Sequence, residues 1–243
     1  MSESTVLITG GARRLGAALA RALSDAGYRV VIHYNNSADD AMALRDELSK
    51  DGTKAFTVQG NLTVESSAVK LAEDATTAAG PITHLINNAS IFPEDRLDAI
   101  TNDSVTENMN INALVPLFLG RALRERGTLT NVVNLLDTRV VDYDEKHVSY
   151  HLSKRALQSL TAMMAMEWAP AVRVNGVSPG LILPPEGKTE EYFEGLKSTN
   201  PLNTYGGPDD IVRAVLFLLD SPFITGQNIF VDGGRHLKGR FYE

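Results

Sequence analysis

Short apolar runs and helically spaced apolar residues alternate along this chain. Val6, Leu7 and Ile8 form an apolar run, entered by about Thr5, that reads as a buried strand. Leu15, Leu19, Ala22 and Leu23 then recur at helical spacing and predict a helix to about Ala26, with Gly27 as its stop. Tyr28 to Tyr34 reads as a second strand and Ala38 to Lys50 as an amphipathic helix. Lys54 to Gly60 is a third strand, followed by a helix over roughly Val64 to Ala79. Thr83 to Ser90 carries a fourth strand into a loop, and a long helix follows from about Thr101 to Arg126. Pro116 lies inside that helix, where it removes a backbone hydrogen bond and predicts a kink. Leu129 to Leu136 is a fifth strand ending at Asp137. A helix starts at Tyr150 and runs to about Trp168, and Val172 to Val177 is a sixth strand. Leu181 to Tyr205 is a long excursion with Pro184, Pro185, Gly187 and a helical patch over Thr189 to Leu196. Pro208 to Leu219 is the last helix and Asn228 to Val231 the last strand.

Strands alternating with helices imply the α/β class, a parallel sheet covered on both faces. No repeat, linker or low-complexity segment breaks the pattern, so residues 1–243 read as one domain. Ligands in such sheets bind beyond the carboxyl ends of the strands.

The first such end carries Gly10 and Gly11, between a strand and a helix. Glycines there let the backbone approach a pyrophosphate, and the helix N-terminus favours the anion through its free N–H groups and dipole. The spacing is Gly10, five residues, Gly16, which differs from the G-x-G-x-x-G of the commoner dinucleotide fold. An ordinary βα turn is the alternative. After the second strand stand Asn35, Asn36 and Ser37, with no acidic residue to hold an adenosine 2′-OH. A 2′-phosphate is thereby permitted, and Arg13 and Arg14 are placed to supply positive charge. This points to NADPH over NADH. Asn61 and Leu62 lie at the C-terminal end of the third strand, near where an adenine would sit.

Composition narrows the classes. The 243 residues are 43% hydrophobic, enough for a sizeable core. The net charge of −7 and the absence of a long basic run point away from nucleic acid. There is no cysteine, which excludes disulfides and thiolate metal sites and fits a cytoplasmic protein; no metal is expected. Met-Ser-Glu-Ser has neither a basic nor an apolar leader region, and no apolar run approaches a membrane span.

Tyr150 and Lys154 are four apart and share a helix face. An ammonium beside a tyrosine favours the phenolate and makes the phenol a better proton donor near neutral pH. Asn112 precedes an apolar run near Pro116; from its surroundings alone it reads as a buried asparagine satisfied by neighbouring backbone.

The set Thr9-Gly10…Gly16, Asn87-Asn88-Ala89, Asn112, Tyr150-x-x-x-Lys154, Pro179-Gly180 and Val231-Asp232-Gly233-Gly234 resembles the short-chain dehydrogenase/reductase family in order and spacing, over essentially the whole chain. The resemblance implies a Rossmann-type doubly wound parallel sheet. Tyr150 would be the proton donor, and Lys154 would bind the nicotinamide ribose. Asn112 would hold a water in a relay to Lys154, in place of the structural role. The implied NADPH contacts are Gly10, Arg13, Arg14, Leu15 and Gly16 from the turn, and Tyr34, Asn35, Asn36 and Ser37 after the second strand. Further on they are Asn61 and Leu62, then Asn88, Ala89 and Ser90, then Tyr150 and Lys154, and finally Pro179, Gly180 and Ile182. The family is usually tetrameric, so a homotetramer is expected.

One departure points to a branch. Most members carry a serine about thirteen residues before the tyrosine, where this chain has Asp137. That aspartate, the arginines of Thr9-Gly-Gly-Ala-Arg-Arg-Leu-Gly16, Ser90 with Phe92, and Arg235-His-Leu237 after the Asp-Gly-Gly resemble the pteridine reductase branch, which includes bacterial dihydromonapterin reductases. There the aspartate acts with the tyrosine in protonating a ring nitrogen. The implied substrate contacts are Arg14, Ser90, Phe92, Asp137 and Tyr150, with Phe92 stacking on a pterin. The chemistry suits the substitution. A neutral serine stabilises an oxyanion, whereas reducing a C=N puts a proton on nitrogen, which a carboxyl beside a tyrosine can serve. Asn35 and Asn36 stand where related enzymes often have a basic residue, so selectivity for NADPH would rest mainly on Arg13 and Arg14. The excursion 181–205 reads as a substrate lid. The resemblance thus implies NADPH-dependent reduction of a dihydropterin, dihydromonapterin or dihydrofolate. The alternatives are a carbonyl or oxoacyl reductase with an unusual acid, or a catalytically silent NADPH-binding regulator.

Overall fold

The computed structural model describes residues 4–50, 54–143, 145–185, 187–189 and 191–238. Met1 to Glu3 of the opening stretch, and Glu186 and Glu190 of the excursion, lie outside the described residues. Seven strands form one sheet: β1 (Thr5–Ile8), β2 (Arg29–Tyr34), β3 (Ala55–Gln59), β4 (His84–Asn87), β5 (Asn131–Leu135), β6 (Arg173–Pro179) and β7 (Asn228–Val231). Their order is β3-β2-β1-β4-β5-β6-β7, every pair parallel. The order reverses between β1 and β4, so the carboxyl ends there open a crevice.

The helices are α1 (Arg14–Asp25), α2 (Ala38–Leu48), α3 (Glu65–Ala79), α4 (Asn102–Met109), α5 (Val115–Glu125), α6 (Val148–Trp168), α7 (Glu191–Glu194), α8 (Pro208–Asp220) and α9 (Arg235–Lys238). They bury a core on each face of the sheet. Val6, Ile8, Val30 and Ile32 pack with Leu19, Leu23, Ile211 and Val215 on one side. Leu7, Val31, Leu85 and Val132 pack with Leu71, Leu119, Leu123 and Trp168 on the other. Successive residues of β1 therefore alternate between two buried faces, which is why the strand reads as a continuous apolar run.

The long helix is divided. Thr101 caps α4, accepting from the Ser104 N–H while Ser104 Oγ takes the Thr101 N–H in return, each at 3.2 Å. Between α4 and α5 lies one π-helical turn, Asn110–Leu114, in which the Val115 N–H donates to the Asn110 carbonyl. Pro116 sits in the first turn of α5, where its missing N–H costs nothing to the helix it begins. The discontinuity expected at Pro116 is therefore taken up just before it. Asp137 caps a short 3₁₀ turn, Thr138–Val141, leading towards α6.

Two glycines fit because a side chain would not. A Cβ on Gly120 would stand 3.0 Å from the Trp168 ring, and one on Gly180 2.6 Å from Asp232 Cα. The Pro179-Gly180 turn is thereby packed on the C-terminal segment.

Candidate active site

The glycine turn is built from both sides. Gly10 has φ +61°, and a Cβ on Gly16 would stand 2.1 Å from the Gly10 carbonyl oxygen. Thr9 Oγ1 accepts the N–H groups of Asn88 and Ala89, each at 3.0 Å. Asn88 Nδ2 returns bonds to the carbonyls of Thr9 (2.9 Å) and Gly10 (3.0 Å). The ends of β1 and β4 are thus locked together by side chains that the motif supplies.

The N–H groups of Gly10 and Gly11 face inward, which leaves anion binding to the helix N-terminus, as the sequence suggests. Gly10 N–H donates to His33 Nδ1 at 3.0 Å, and Gly11 N–H to the His33 carbonyl at 2.8 Å. Any anion at this turn therefore meets later N–H groups, at the start of α1. His33 itself was not singled out from the sequence; its only signal is a lone histidine in the apolar run Arg29-Val-Val-Ile-His-Tyr34.

A cleft of about 790 Å³ opens beside this turn. Its wall includes Gly10, Arg13, Arg14, Leu15 and Gly16; Tyr34, Asn35, Asn36 and Ser37; Asn61 and Leu62; and Asn88, Ala89, Ser90 and Phe92. These expected cofactor and substrate residues, from four strand ends, are brought to one cavity. Arg13 Nε lies 3.9 Å from Asp40 Oδ2 at the start of α2. Arg14 has φ +53° and reaches across to donate to the Pro184 carbonyl at 2.5 Å.

Pro179, Gly180 and Ile182 are not on this wall. The Ile182 side chain is buried in the core with Ile211 and Val212. That inward direction is one that residue type alone did not carry.

Beyond the cleft stands the second group. Tyr150 OH donates to Asp137 Oδ2 at 2.9 Å, and Asp137 Oδ1 accepts the Arg139 N–H at 2.7 Å. Lys154, fully buried one turn along α6, donates from Nζ to the Leu135 carbonyl at 2.8 Å. Its Nζ lies 5.7 Å from the Tyr150 ring centroid. Burial pushes the Lys154 ammonium down to about 8, against the pull of the Asp137 charge. Phe92 links the two groups: its ring meets Tyr150 edge to face at a centroid distance of 4.5 Å and is stacked on His147 at 3.8 Å. His147 is a second residue the sequence reading missed.

Asn112 is buried, and its side chain is fully engaged. Oδ1 accepts from Ser90 Oγ (3.1 Å) and the Ile91 N–H (2.9 Å). Nδ2 donates to the Ile91 carbonyl (3.0 Å) and Ser153 Oγ (3.0 Å), with Asn108 Oδ1 at 3.2 Å. Ser153 Oγ in turn donates to the Tyr150 carbonyl at 2.7 Å. Protein groups thus occupy the hydrogen-bonding positions of this side chain. The main-chain carbonyl of Asn112 has Pro116, a residue with no N–H, as its α-helical partner. The structural role suggested by the local sequence describes the side chain better.

Among the described residues no group of three His, Cys, Asp or Glu could hold a metal ion. No helix of the described residues is long and apolar enough to cross a membrane.

A parallel sheet with a glycine turn at its crevice and a Tyr/Lys helix beside it defines the short-chain dehydrogenase/reductase class. The chain belongs to that class: residues 10–236 match the family model described as enoyl-(acyl carrier protein) reductase. Among individual relatives, a protein of Citrobacter koseri named dihydromonapterin reductase is 30% identical over 238 residues, covering 96% of this chain and 97% of that protein. One of the same name from Shigella boydii matches at 30% with the same coverage. The crystal structure of FolM alternative dihydrofolate reductase 1 from Brucella canis, complexed with NADP, superposes with a TM-score of 0.88 at 36% identity, covering 96% of this chain and 94% of that one.

Proposed function

We propose that this protein is an NADPH-dependent reductase of pterins, with a dihydropterin such as dihydromonapterin, or dihydrofolate, as substrate. The observation that carries this is the hydrogen bond from Tyr150 to Asp137 at the end of β5, where a carbonyl reductase would place a neutral hydroxyl. The names of the relatives and the NADP of the Brucella canis structure support it.

The residues fit the cofactor. The turn leaves no room for a side chain at Gly16, Arg13 and Arg14 bring positive charge, and Asn35, Asn36 and Ser37 set no carboxylate against a 2′-phosphate. NADPH, when bound, supplies the hydride. Tyr150 holds the proton destined for the ring nitrogen. Asp137 accepts the Tyr150 hydrogen bond and is available to ring N–H groups. Lys154 keeps its charge at neutral pH and favours the phenolate left on Tyr150. Phe92 offers a partly exposed aromatic face to a flat substrate. Ser90, held by Asn112, and Arg14 flank the substrate, and residues 181–205 form a lid over it. A cytoplasmic homotetramer accords with the cysteine-free chain and with the exposed Leu152, Met163 and Met166 of α6.

The test is NADPH consumption with dihydromonapterin, dihydrobiopterin, dihydrofolate and a panel of ketones and oxoacyl thioesters, repeated with NADH. The expected result is a pterin kcat/KM well above that of every carbonyl, and NADPH preferred. Carbonyl turnover alone would make the protein a carbonyl or oxoacyl reductase. NADPH binding without turnover would make it a regulator.

A further inference from the structure

His33 lies on β2 and is 2% exposed. Its ring spans two other segments. On one side Nδ1 faces the Gly10 N–H at 3.0 Å; on the other Nε2 faces the Gly60 carbonyl at 3.0 Å, just past β3. A backbone N–H can only donate and a carbonyl can only accept. Nδ1 must therefore be a bare lone pair and Nε2 must carry the hydrogen. Either other protonation state sets two hydrogens, or two lone pairs, against each other. The residue's main chain extends the clip: its carbonyl takes the Gly11 N–H, and the neighbouring Tyr34 carbonyl takes the Gly60 N–H at 3.0 Å. Gly10 and Gly60, with His33 between them, all border the cleft. Burial also disfavours the charged ring, lowering its pKa to about 4 against the pull of the Gly60 carbonyl.

We propose that His33 is a positioning residue for the cofactor: its neutral ring, protonated on Nε2 alone, fixes the glycine turn after β1 against the end of β3 and so sets the spacing of the adenosine end of the cleft. It touches neither the reacting atoms nor Tyr150. Its influence is on where Gly10 and Asn61, which follows Gly60, stand when a dinucleotide enters. A phenyl ring would fill the same space and lose both bonds. Asparagine would keep an acceptor for Gly10 but not reach Gly60.

The proposal rests on the NADPH assignment above, so the experiment begins with NADPH titration of the wild-type protein; no binding there would overturn that assignment. Given binding, His33→Phe is expected to raise Kd and KM for NADPH about tenfold, the loss of two neutral hydrogen bonds, with kcat at saturating NADPH and KM for the pterin unchanged. His33→Asn is expected to recover part of the affinity. A folded His33→Phe that binds NADPH like wild type, or that loses kcat instead, overturns the proposal while leaving the function intact. If the phenylalanine variant does not fold, His33→Asn decides, and wild-type affinity in it is the overturning result. Nitrogen NMR of the wild-type imidazole needs no variant: a neutral ring with hydrogen on Nε2 at neutral pH is expected, and the other tautomer or an imidazolium overturns the proposal.

Discussion

Tyr150 and Asp137 are joined by a 2.9 Å hydrogen bond in which the phenol donates and the carboxylate accepts. The second carboxylate oxygen is pinned by the Arg139 N–H, so the pair is aimed rather than free to swing. Removing the phenolic hydroxyl in Tyr150→Phe is expected to lower pterin kcat by about 10²-fold or more, the usual range for losing a positioned acid, with NADPH affinity unchanged. Asp137→Ser is expected to depress pterin turnover and raise turnover of ketones. Steady-state kinetics on both substrate classes check this; wild-type pterin kcat in either variant would contradict it.

The stacked arrangement of Phe92 on His147 makes a different prediction. Phe92→Ala is expected to raise KM for the pterin several-fold, matching about 0.5–1.5 kcal/mol for an aromatic pair, with a smaller effect on kcat. His147→Ala is expected to move the same constant in the same direction by less, because it acts through Phe92. An effect confined to KM for NADPH would contradict both.

Asn112→Ala removes the partners of Ser90, Ile91 and Ser153 at once. Ser153 and Asn108, which also faces the Asn112 amide, are buried, and leaving a buried group unpaired costs about 1–3 kcal/mol. The variant is expected to lose several kcal/mol in denaturant unfolding, and hydrogen exchange at Ile91 to accelerate. Unchanged stability would mean that water replaces the side chain there without penalty.

His33 and His84 are both held at about 4 by burial, well below the usual histidine range. Their folded values are depressed, so the unfolded chain takes up these protons first as pH falls. Their contribution is complete above about pH 6.5 and is lost between there and about 4, at up to about 1.4 kcal/mol per pH unit for each ring. Thermal melts from pH 7 to 4 are expected to show a falling Tm, with a shallower fall in His84→Phe. A flat profile would contradict the burial of both rings as neutral species.

The alternation of strands and helices was legible because strands such as β1 and β5 are buried on two faces and helices such as α1, α5 and α8 show one apolar stripe. Tyr150 and Lys154 were legible as neighbours because helical spacing is local. What escaped was pairing between segments. His33 meets residues 23 and 27 positions away, and Asn112 meets Ile91 and Ser153 across 21 and 41. No periodicity encodes such distances. The π-helical turn escaped for a related reason: Pro116 announces a disturbance but not the side on which the backbone absorbs it. Ile182 was named by the resemblance alone, and the inward direction of its side chain depends on α8.

The two halves of the site are fastened by different kinds of bond. Around Tyr150 the ties run through Asn112 and Ser153, and at the glycine turn through Thr9 and Asn88, and each depends on the identity of a side chain. The excursion over residues 181–205 is anchored largely by main chain. Gly206 N–H meets the Leu181 carbonyl, Leu202 N–H meets the Gly233 carbonyl, and even Arg14 grips a carbonyl, that of Pro184. Substitutions in the excursion leave those anchors in place, whereas substitutions in the brace do not. Descendants of this chain are therefore freer to change side chains along the excursion than in the brace.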